Sequence, residues 1–456
     1  MNEDRDIVII GCGAGGGTAA QFARKTDRKS SITIFEKGKY PQYSKCGLPY
    51  TISVRIPDLM DLIEFSEDWF KKANIDLFLE TNVEKINAKK QIVFAKKGNR
   101  IIEKPYSSLV ICTGAKPYIP PIKNIDVKGV FVVRTIDDVK KIISRLSKSK
   151  KVTVIGAGLI GLEMADNLYK KGLKVTIVEA LPNILVHSLD EDMAKIILDK
   201  IPNNISIFTN HLATKIEDSN AEISKVIIKD QQTGDEKSVD TDILILATGI
   251  NPKTSLAKSI GCKIGKTSGI IINDKAETSV KNVYAVGDCT EYPDFVTSKP
   301  TLVGLGSICV RQAIAAGINA AGGNYKLLKG VLQTHTSEFF GVDIASVGPT
   351  KNCLNNMSVV SAKFNGTSLP DYFPGGKPIS IKVLVDEYTG MIIGAQGVGE
   401  NVAQRINMFA CAILTGLDVN SFRKIETAYA PPIAPTLDVV TLVCDAVSMK
   451  LERKKR

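Results

Sequence analysis

Apolar runs and helical patterns alternate along the first two thirds of the chain. The segment 6–36, "DIVIIGCGAGGGTAAQFARKTDRKSSITIFE", begins with an apolar run, passes through glycines into a helical pattern, and ends in a second apolar run. This order predicts a β-strand, an α-helix and a parallel β-strand. The same plan returns about 145 residues later in "KVTVIGAGLIGLEMADNLYKKGLKVTIVEA". The distance between the two units predicts a duplicated βαβ domain rather than a short-period repeat.

The segments beyond these units predict where the chain passes between domains. "YSSLVICTGAKP" (106–117) and "DTDILILATGINP" (240–252) are each an apolar strand that ends in Thr-Gly before a proline. From about residue 326, alternating runs such as "ISIKVLVD" indicate an antiparallel sheet. We therefore predict an α/β protein with two Rossmann-like domains and a C-terminal α+β domain. The predicted boundaries are 1–115 continued by 250–325, an inserted 116–249, and 326–456.

The composition is that of an ordinary folded protein without a membrane span. The chain has 456 residues, 44% hydrophobic and 23% charged, and this length exceeds what one core usually holds. No stretch approaches eighteen uninterrupted apolar residues, so we predict no transmembrane helix. The acidic start "MNEDRD" leads directly into a strand-like segment. A signal peptide has the reverse pattern, so we predict a cytoplasmic protein.

The net charge of +11 suits two kinds of partner. Nucleic-acid binding is not predicted, because basic and aromatic residues are not interleaved. An anionic, phosphorylated small molecule suits the same charge. The nine cysteines include no C-x-x-C pair, and none of the three histidines stands at metal-ligand spacing from a cysteine. The sequence therefore predicts neither a metal site nor a disulfide scaffold.

The first βαβ unit carries a dinucleotide-binding pattern. Gly11, Gly13 and Gly16 form G-x-G-x-x-G, and Glu36 follows the last glycine by twenty residues. The glycines permit a tight turn, close approach of a pyrophosphate and close packing of helix on strand, while the acid binds a ribose hydroxyl. Because strand, helix and acid all stand in their places, we predict a bound dinucleotide here.

The second unit repeats the pattern with Gly156, Gly158, Gly161 and Glu179. A carboxylate at this acidic position repels a 2′-phosphate, and no arginine follows in "EALPNIL", which favours NADH over NADPH. Two dinucleotide folds predict two dinucleotides. One of them should be a flavin, because hydride leaving a nicotinamide needs an acceptor.

On these motifs the chain resembles the pyridine nucleotide–disulfide oxidoreductase family over essentially its whole length. The resemblance implies that FAD binds the first fold, that NADH (NADPH in second place) binds the second, and that the late Gly-Asp pair contacts the flavin. The cofactor-binding residues that it adds are Lys37, Val83, Thr113, Gly114, Ile160, Gly249, Gly287 and Asp288.

One cysteine stands apart from the others, in "PQYSKCGLPY". Cys46 follows Lys45 and precedes a turn of small residues. If a helix begins there, its dipole and the lysine together would lower the pKa of the thiol. The cysteines in apolar or small-residue surroundings are expected to be buried and structural, namely Cys12, Cys112, Cys262, Cys309, Cys411 and Cys444.

The surroundings of Cys46 resemble the single-cysteine branch of the family. Dithiol reductases of the glutathione and lipoamide type carry a second cysteine where this chain has Thr51, and a histidine near the C-terminus, whereas no histidine follows His335. The single-cysteine branch comprises coenzyme A-disulfide reductases, NADH oxidases and peroxidases, and persulfide or sulfur reductases. Its oxidases and peroxidases usually place a histidine where this chain has Ala14, which argues against those two activities.

Two C-terminal segments, "DYFPGGKP" and "AYAPPIAPTLD", resemble the coenzyme A-disulfide reductases most closely. That resemblance implies a homodimer in which Tyr372 and Tyr429 reach the cysteine of the other subunit. Two departures concern the thiol substrate. "TISVRIPD" replaces the glycine-containing turn that commonly follows "CGLPY", and Phe22 stands where a polar residue often occurs.

We therefore predict an NADH-dependent flavoenzyme that reduces a disulfide through Cys46, because the substrate supplies the second sulfur. Coenzyme A disulfide is the first candidate substrate, with Thr18, Lys25 and Lys45 as candidate contacts. A reductase of persulfide, polysulfide or sulfur ranks second and an NADH oxidase third. A non-catalytic redox sensor is the hypothesis from another class, and it would not need Cys46 together with both tyrosines.

Overall fold

The computed structural model describes residues 5–455 of the chain. The α-helices in chain order are α1 (Ala14–Thr26), α2 (Leu48–Ile52), α3 (Glu67–Lys72), α4 (Ile136–Leu146), α5 (Leu159–Lys170), α6 (Glu191–Leu198), α7 (Ser255–Ser259), α8 (Gly306–Ala320), α9 (Val402–Thr415), α10 (Val419–Phe422) and α11 (Val439–Lys455). Short 3₁₀ helices span Lys45–Gly47, Leu59–Leu62, Gly287–Cys289 and Lys351–Leu354.

The strands up to residue 178 are β1 (Asp6–Ile10), β2 (Ser31–Phe35), β3 (Asp76–Phe78), β4 (Asn82–Asn87), β5 (Ile92–Lys97), β6 (Arg100–Pro105), β7 (Ser108–Ile111), β8 (Ala115–Pro117), β9 (Val130–Val132), β10 (Lys151–Ile155) and β11 (Lys174–Val178). The next are β12 (Ser206–Phe208), β13 (His211–Ser219), β14 (Glu222–Asp230), β15 (Glu236–Asp240), β16 (Ile243–Leu246), β17 (Ile250–Pro252), β18 (Ile270–Ile271), β19 (Val283–Ala285), β20 (Thr290–Pro293) and β21 (Pro300–Leu302). The C-terminal strands are β22 (His335–Phe339), β23 (Val342–Val347), β24 (Val359–Thr367), β25 (Pro378–Asp386) and β26 (Ile392–Gly399).

Two five-stranded parallel sheets carry the two glycine-rich loops. One has the order β19-β7-β1-β2-β3, and the other has the order β12-β11-β10-β16-β9. In each sheet the strand before the glycines lies between its βαβ partner and a later strand, so the loop opens at the carboxyl ends of the strands. The prediction of two Rossmann-like domains is confirmed.

The first sheet is buried on both faces, as parallel sheets are. Residues Ile7, Val8 and Ile9 of β1 are at most 1% exposed. Each such side chain contributes about 1.5–3 kcal/mol relative to an exposed position. Helix α1 packs against α8 and against β1, so apolar packing fixes the helix that leaves the first glycine loop.

The C-terminal sheet is antiparallel, with the order β22-β23-β26-β25-β24. Helix α9 packs on β23 and β26, and α11 packs on β24 and β25. The predicted C-terminal α+β domain is confirmed. Smaller sheets join β13-β14-β15, β4-β5-β6, β18-β20-β21 and β17-β8.

The described chain divides into two compact units. One comprises the residues up to Tyr118 with Arg134–Lys140 and Gly249–Val331, and the other comprises Ile119–Val133, Lys141–Thr248 and the residues from Leu332 onward. The boundaries of the three-domain scheme stay a prediction. Among residues 5–455, no helix is both long and apolar enough to cross a membrane.

Candidate active site

The first glycine loop has the shape that a pyrophosphate requires. Gly11 has φ +102°, and a Cβ there would lie 2.4 Å from the carbonyl oxygen of Cys112. A Cβ on Gly16 would lie 1.8 Å from the carbonyl oxygen of Gly11, so only glycine allows α1 to approach β1 this closely. At Gly13 nothing lies within 4 Å of a Cβ, which leaves open space at the start of α1 for a phosphate group.

The second glycine loop has the same geometry. Gly156 has φ +103°, and a Cβ at Gly161 would lie 1.9 Å from the carbonyl oxygen of Gly156. The space beside Gly158 is again open within 4 Å. Both loops therefore fit a dinucleotide by the same test, although the two helices differ in sequence.

Each predicted acidic residue lies at the end of the neighbouring strand and reaches its own glycine loop. The Glu36 carboxylate accepts hydrogen bonds from the backbone N–H of Cys12 at 2.6 Å and of Gly38 at 2.6 Å. The Glu179 carboxylate accepts from Ala157 N–H at 2.6 Å and from Leu181 N–H at 2.8 Å. These bonds hold both carboxylates at the loops where a ribose would lie.

The late Gly-Asp pair faces a cation that the sequence reasoning missed. Asp288 forms an ion pair with the guanidinium of Arg134, and both side chains are less than 20% exposed. Arg134 also lies 3.6 Å from a Cβ built on Gly114. Thr113 Oγ1 donates to the carbonyl oxygen of Lys253 at 2.6 Å, so the predicted Thr-Gly turn joins the same cluster. No glycine or proline pattern marks Arg134, which precedes α4, and only the fold brings it here.

Lys45 contributes a further positive charge to this cluster. Desolvation lowers the pKa of Lys45, Arg134 lowers it further, and the carboxylates of Asp288 and Glu36 oppose the change. Desolvation also lowers the pKa of Lys253. A cluster of three cations and two carboxylates suits an anionic group such as the pyrophosphate of a dinucleotide.

Cys46 lies in the 3₁₀ turn Lys45–Gly47, ahead of the five-residue helix α2. Its side chain is exposed. The expectation that a helix begins at this cysteine is thus met only by a short turn. A longer helix, α8, begins beside it: a Cβ on Gly306 would lie 3.8 Å from Cys46 Sγ. A glycine at this point leaves the sulfur accessible.

Five cysteines have a different character from Cys46. Burial raises the pKa of the Cys309 and Cys444 thiols to about 12, and it also raises the pKa of the Cys12, Cys112 and Cys289 thiols. These sulfurs are neutral thiols at neutral pH. Of the six cysteines expected to be buried, three are buried (Cys12, Cys262 and Cys444) and two are partly buried (Cys112 and Cys309). The expectation is wrong for Cys411, which is exposed. Within residues 5–455, no group of three or more His, Cys, Asp or Glu residues could hold a metal ion.

The two tyrosines that were predicted to reach the cysteine of the other subunit lie next to each other. The hydroxyl oxygens of Tyr372 and Tyr429 lie 2.8 Å apart, and the two residues are 70% and 47% exposed. The hydrogen bond to Tyr429 raises the pKa of Tyr372. The pair therefore presents a protonated, solvent-accessible hydroxyl that can donate a proton.

The other predicted contacts lie in varied settings. Thr18 is only 7% exposed on α1, and the Lys25 ammonium lies 4.7 Å from the centre of the Phe22 ring. Val83 is buried in the core of its unit, whereas Lys37 and Ile160 are exposed. Their roles in binding stay predictions.

Known proteins identify the class to which this fold belongs. A family model described as "Pyridine nucleotide-disulphide oxidoreductase" matches residues 5–305, and the dimerisation domain of the same family matches residues 334–440. The chain therefore belongs to the pyridine nucleotide–disulfide oxidoreductase family. Members of this family are oxidoreductases that use FAD and NAD(P)H.

Three similar proteins carry different names. An NADH oxidase of Methanocaldococcus jannaschii is 37% identical over 455 residues, covering 98% of this chain and 99% of that protein. An NAD(P)H coenzyme A polysulfide/persulfide reductase of Pyrococcus horikoshii is 32% identical over 442 residues, covering 96% and 97%. The solved structure of reduced Bacillus anthracis CoADR-RHD has a TM-score of 0.93 at 30% identity, covering 99% of this chain and 81% of that one. The chain is thus a member of a family that reduces disulfides, persulfides or oxygen.

Proposed function

We propose that this chain is a homodimeric, FAD-dependent reductase of coenzyme A disulfide that takes its electrons from NADH and uses Cys46 as its redox sulfur. The observation that carries the proposal is the exposed Cys46 next to the start of α8, in a chain whose other cysteines near the first glycine loop have raised pKa values. In this scheme residues 1–115 and 250–325 bind FAD, 116–249 bind NADH, and 326–456 dimerise.

Bound FAD would accept hydride from NADH and pass two electrons to sulfur. Cys46 rests as a mixed disulfide with coenzyme A, and the two electrons cleave this S–S bond into a Cys46 thiolate and a coenzyme A thiolate. The Cys46 thiolate attacks one sulfur of coenzyme A disulfide, which restores the mixed disulfide and releases a second coenzyme A thiolate. With protons taken up by the two thiolates, one NADH and one disulfide yield NAD⁺ and two thiols.

The cations support coenzyme A rather than a small neutral disulfide. Lys45 precedes the reactive cysteine, Lys25 lies on α1, and the net charge is +11. Coenzyme A carries phosphates that such cations bind. Glu179, which accepts backbone hydrogen bonds at the second glycine loop, supports NADH over NADPH.

A second candidate, a coenzyme A persulfide or polysulfide reductase, is favoured by the name of the Pyrococcus horikoshii relative. The same residues would serve it, with a persulfide sulfur in place of the disulfide. The oxidase activity named for the Methanocaldococcus jannaschii relative is less favoured, because Ala14 offers no acid–base group in the first glycine loop.

The choice among these acceptors can be measured with the FAD-loaded protein and NADH under anaerobic conditions. We expect kcat/KM for coenzyme A disulfide to exceed that for glutathione disulfide by at least about tenfold, because each lost charge-assisted hydrogen bond to phosphate costs about 1.5–3 kcal/mol. Glutathione disulfide is the matched control, since it has the same S–S bond without phosphates. Faster turnover of coenzyme A persulfide or polysulfide would establish the second candidate, and turnover with oxygen alone would contradict both.

A further inference from the structure

A row of polar side chains crosses the C-terminal sheet. Strand register places Lys363, Lys382, Gln396, Ser346 and His335 opposite one another on five consecutive strands. Directly paired residues on neighbouring strands point to the same face of a sheet, so the five side chains form one line, here called the polar row. Its middle members are buried: Ser346, Gln396 and Lys382 are 2%, 2% and 8% exposed.

The polar row binds the segment that precedes α6. Gln396 Oε1 accepts a hydrogen bond from the backbone N–H of Asp190 at 2.7 Å. Lys382 Nζ lies 2.8 Å from Asp190 Oδ2 and 2.6 Å from Asp192 Oδ1. The other Asp190 oxygen accepts from Lys351 N–H at 2.8 Å. Because a buried charge is costly unless it is paired, these contacts favour one position of Asp190.

Asp190 is connected to the second glycine loop through one turn of chain. Leu189 N–H donates to the carbonyl oxygen of Leu185 at 2.9 Å, and Leu185 N–H donates to the carbonyl oxygen of Ala157 at 3.0 Å. Ala157 is the residue between the first two glycines of that loop, and its own N–H donates to Glu179. The polar row is therefore linked to the loop through the segment that precedes α6.

A neighbouring residue of the same sheet reaches the other side of the loop. Ser337 follows His335 by two residues on β22 and so shares its face. Its Oγ donates to Glu163 Oε1 at 2.6 Å. Glu163 is the fifth residue of α5, two residues after Gly161. The sheet thus contacts the helix that follows the loop directly, and it is linked to the loop itself through residues 185–190.

We propose that the C-terminal sheet is part of the NADH site, with Ser337, Lys382 and Gln396 as positioning residues that hold the second glycine loop and the N-terminal half of α5 in the conformation that binds NADH. This inference rests on the assignment of NADH to that loop. It gives the sheet a second role beside dimerisation.

The test is anaerobic reduction of the bound flavin by NADH. The reduction is monitored as the loss of oxidised flavin absorbance at several NADH concentrations. Ser337→Ala should raise the apparent Kd of NADH by roughly threefold to tenfold, the usual effect of losing one ordinary hydrogen bond. Ser337→Thr should restore the original Kd, because threonine keeps the hydroxyl. If NADH fails to reduce the unmodified protein, the proposed function is wrong, and the positioning role is wrong with it.

Ser380→Ala provides a matched control. Ser380 lies on β25 of the same sheet, but its Oγ donates to Asn365 Oδ1 at 2.8 Å within the sheet, so the Kd of NADH should not change. Gln396→Met should weaken NADH binding as Ser337→Ala does, while transfer of electrons from reduced flavin to coenzyme A disulfide keeps its rate. Unchanged NADH affinity in both Ser337→Ala and Gln396→Met, or an equal loss in Ser380→Ala, would overturn the proposal whatever the thermal stabilities.

Discussion

Replacing Cys46 by serine should abolish disulfide reduction while NADH still reduces the flavin. A serine hydroxyl is protonated at neutral pH and does not form a mixed disulfide, so the loss of turnover should be on the order of 10⁴-fold or more, as for other enzymes that lose their nucleophile. Hydride transfer to the flavin does not involve the sulfur. Stopped-flow reduction by NADH and steady-state turnover with coenzyme A disulfide measure the two steps separately.

Cys353→Ser is the matched control, because Cys353 is also an exposed cysteine. It should retain both the flavin reduction and the turnover of the unmodified protein. Residual turnover in Cys46→Ser within tenfold of the unmodified rate would show that electrons reach the disulfide without Cys46. The single-cysteine mechanism would then be wrong.

Tyr429→Phe should slow turnover with coenzyme A disulfide by about 10²–10⁴-fold, the usual loss when a positioned acid or base is removed. This variant lacks the Tyr429 hydroxyl, whose oxygen lies 2.8 Å from the hydroxyl oxygen of Tyr372. In the unmodified protein the pKa of Tyr372 is raised, so Tyr372 is protonated at neutral pH. The tyrosine pair is therefore suited to donate a proton to the departing thiolate. Flavin reduction by NADH should keep its rate, since no thiol leaves in that step.

Mixing subunits tests whether Tyr429 acts on Cys46 of its own chain or of the other subunit. If Tyr429 acts on the cysteine of the other subunit, a heterodimer of Cys46→Ser and Tyr429→Phe chains has one site with both changes and one intact site. Activity should then partly return after subunit exchange. A mixture no more active than the sum of its parents would contradict the shared site, and Tyr429 would be a packing residue or would act within its own chain.

The sequence was sufficient for the features that depend on short segments. Gly11, Gly16 and Glu36 were predictable because a glycine turn, a helix start and a strand end lie within about thirty residues. The parallel and antiparallel sheets followed from the order and the alternation of apolar runs.

Contacts between distant segments were not predictable. Arg134 and Asp288 are separated by 154 positions, and Lys382 and Asp192 by 190. A single sequence has no signal for such pairs, because each residue alone looks like a solvated surface charge.

The expectation that Cys411 is buried was wrong for a simpler reason. It lies on α9 away from the face that buries Ile406 and Phe409, and helical periodicity would have placed it outside.

The central claim is that coenzyme A is joined to Cys46 during turnover, and peptide mass spectrometry tests it directly. The protein is reduced by NADH, treated with coenzyme A disulfide, quenched in acid and digested without a reductant. We expect the peptide that contains Cys46 to gain the mass of one coenzyme A in disulfide linkage, and a second addition of NADH before the quench should remove it. A Cys46 peptide that carries no coenzyme A while the protein turns over coenzyme A disulfide would contradict the account.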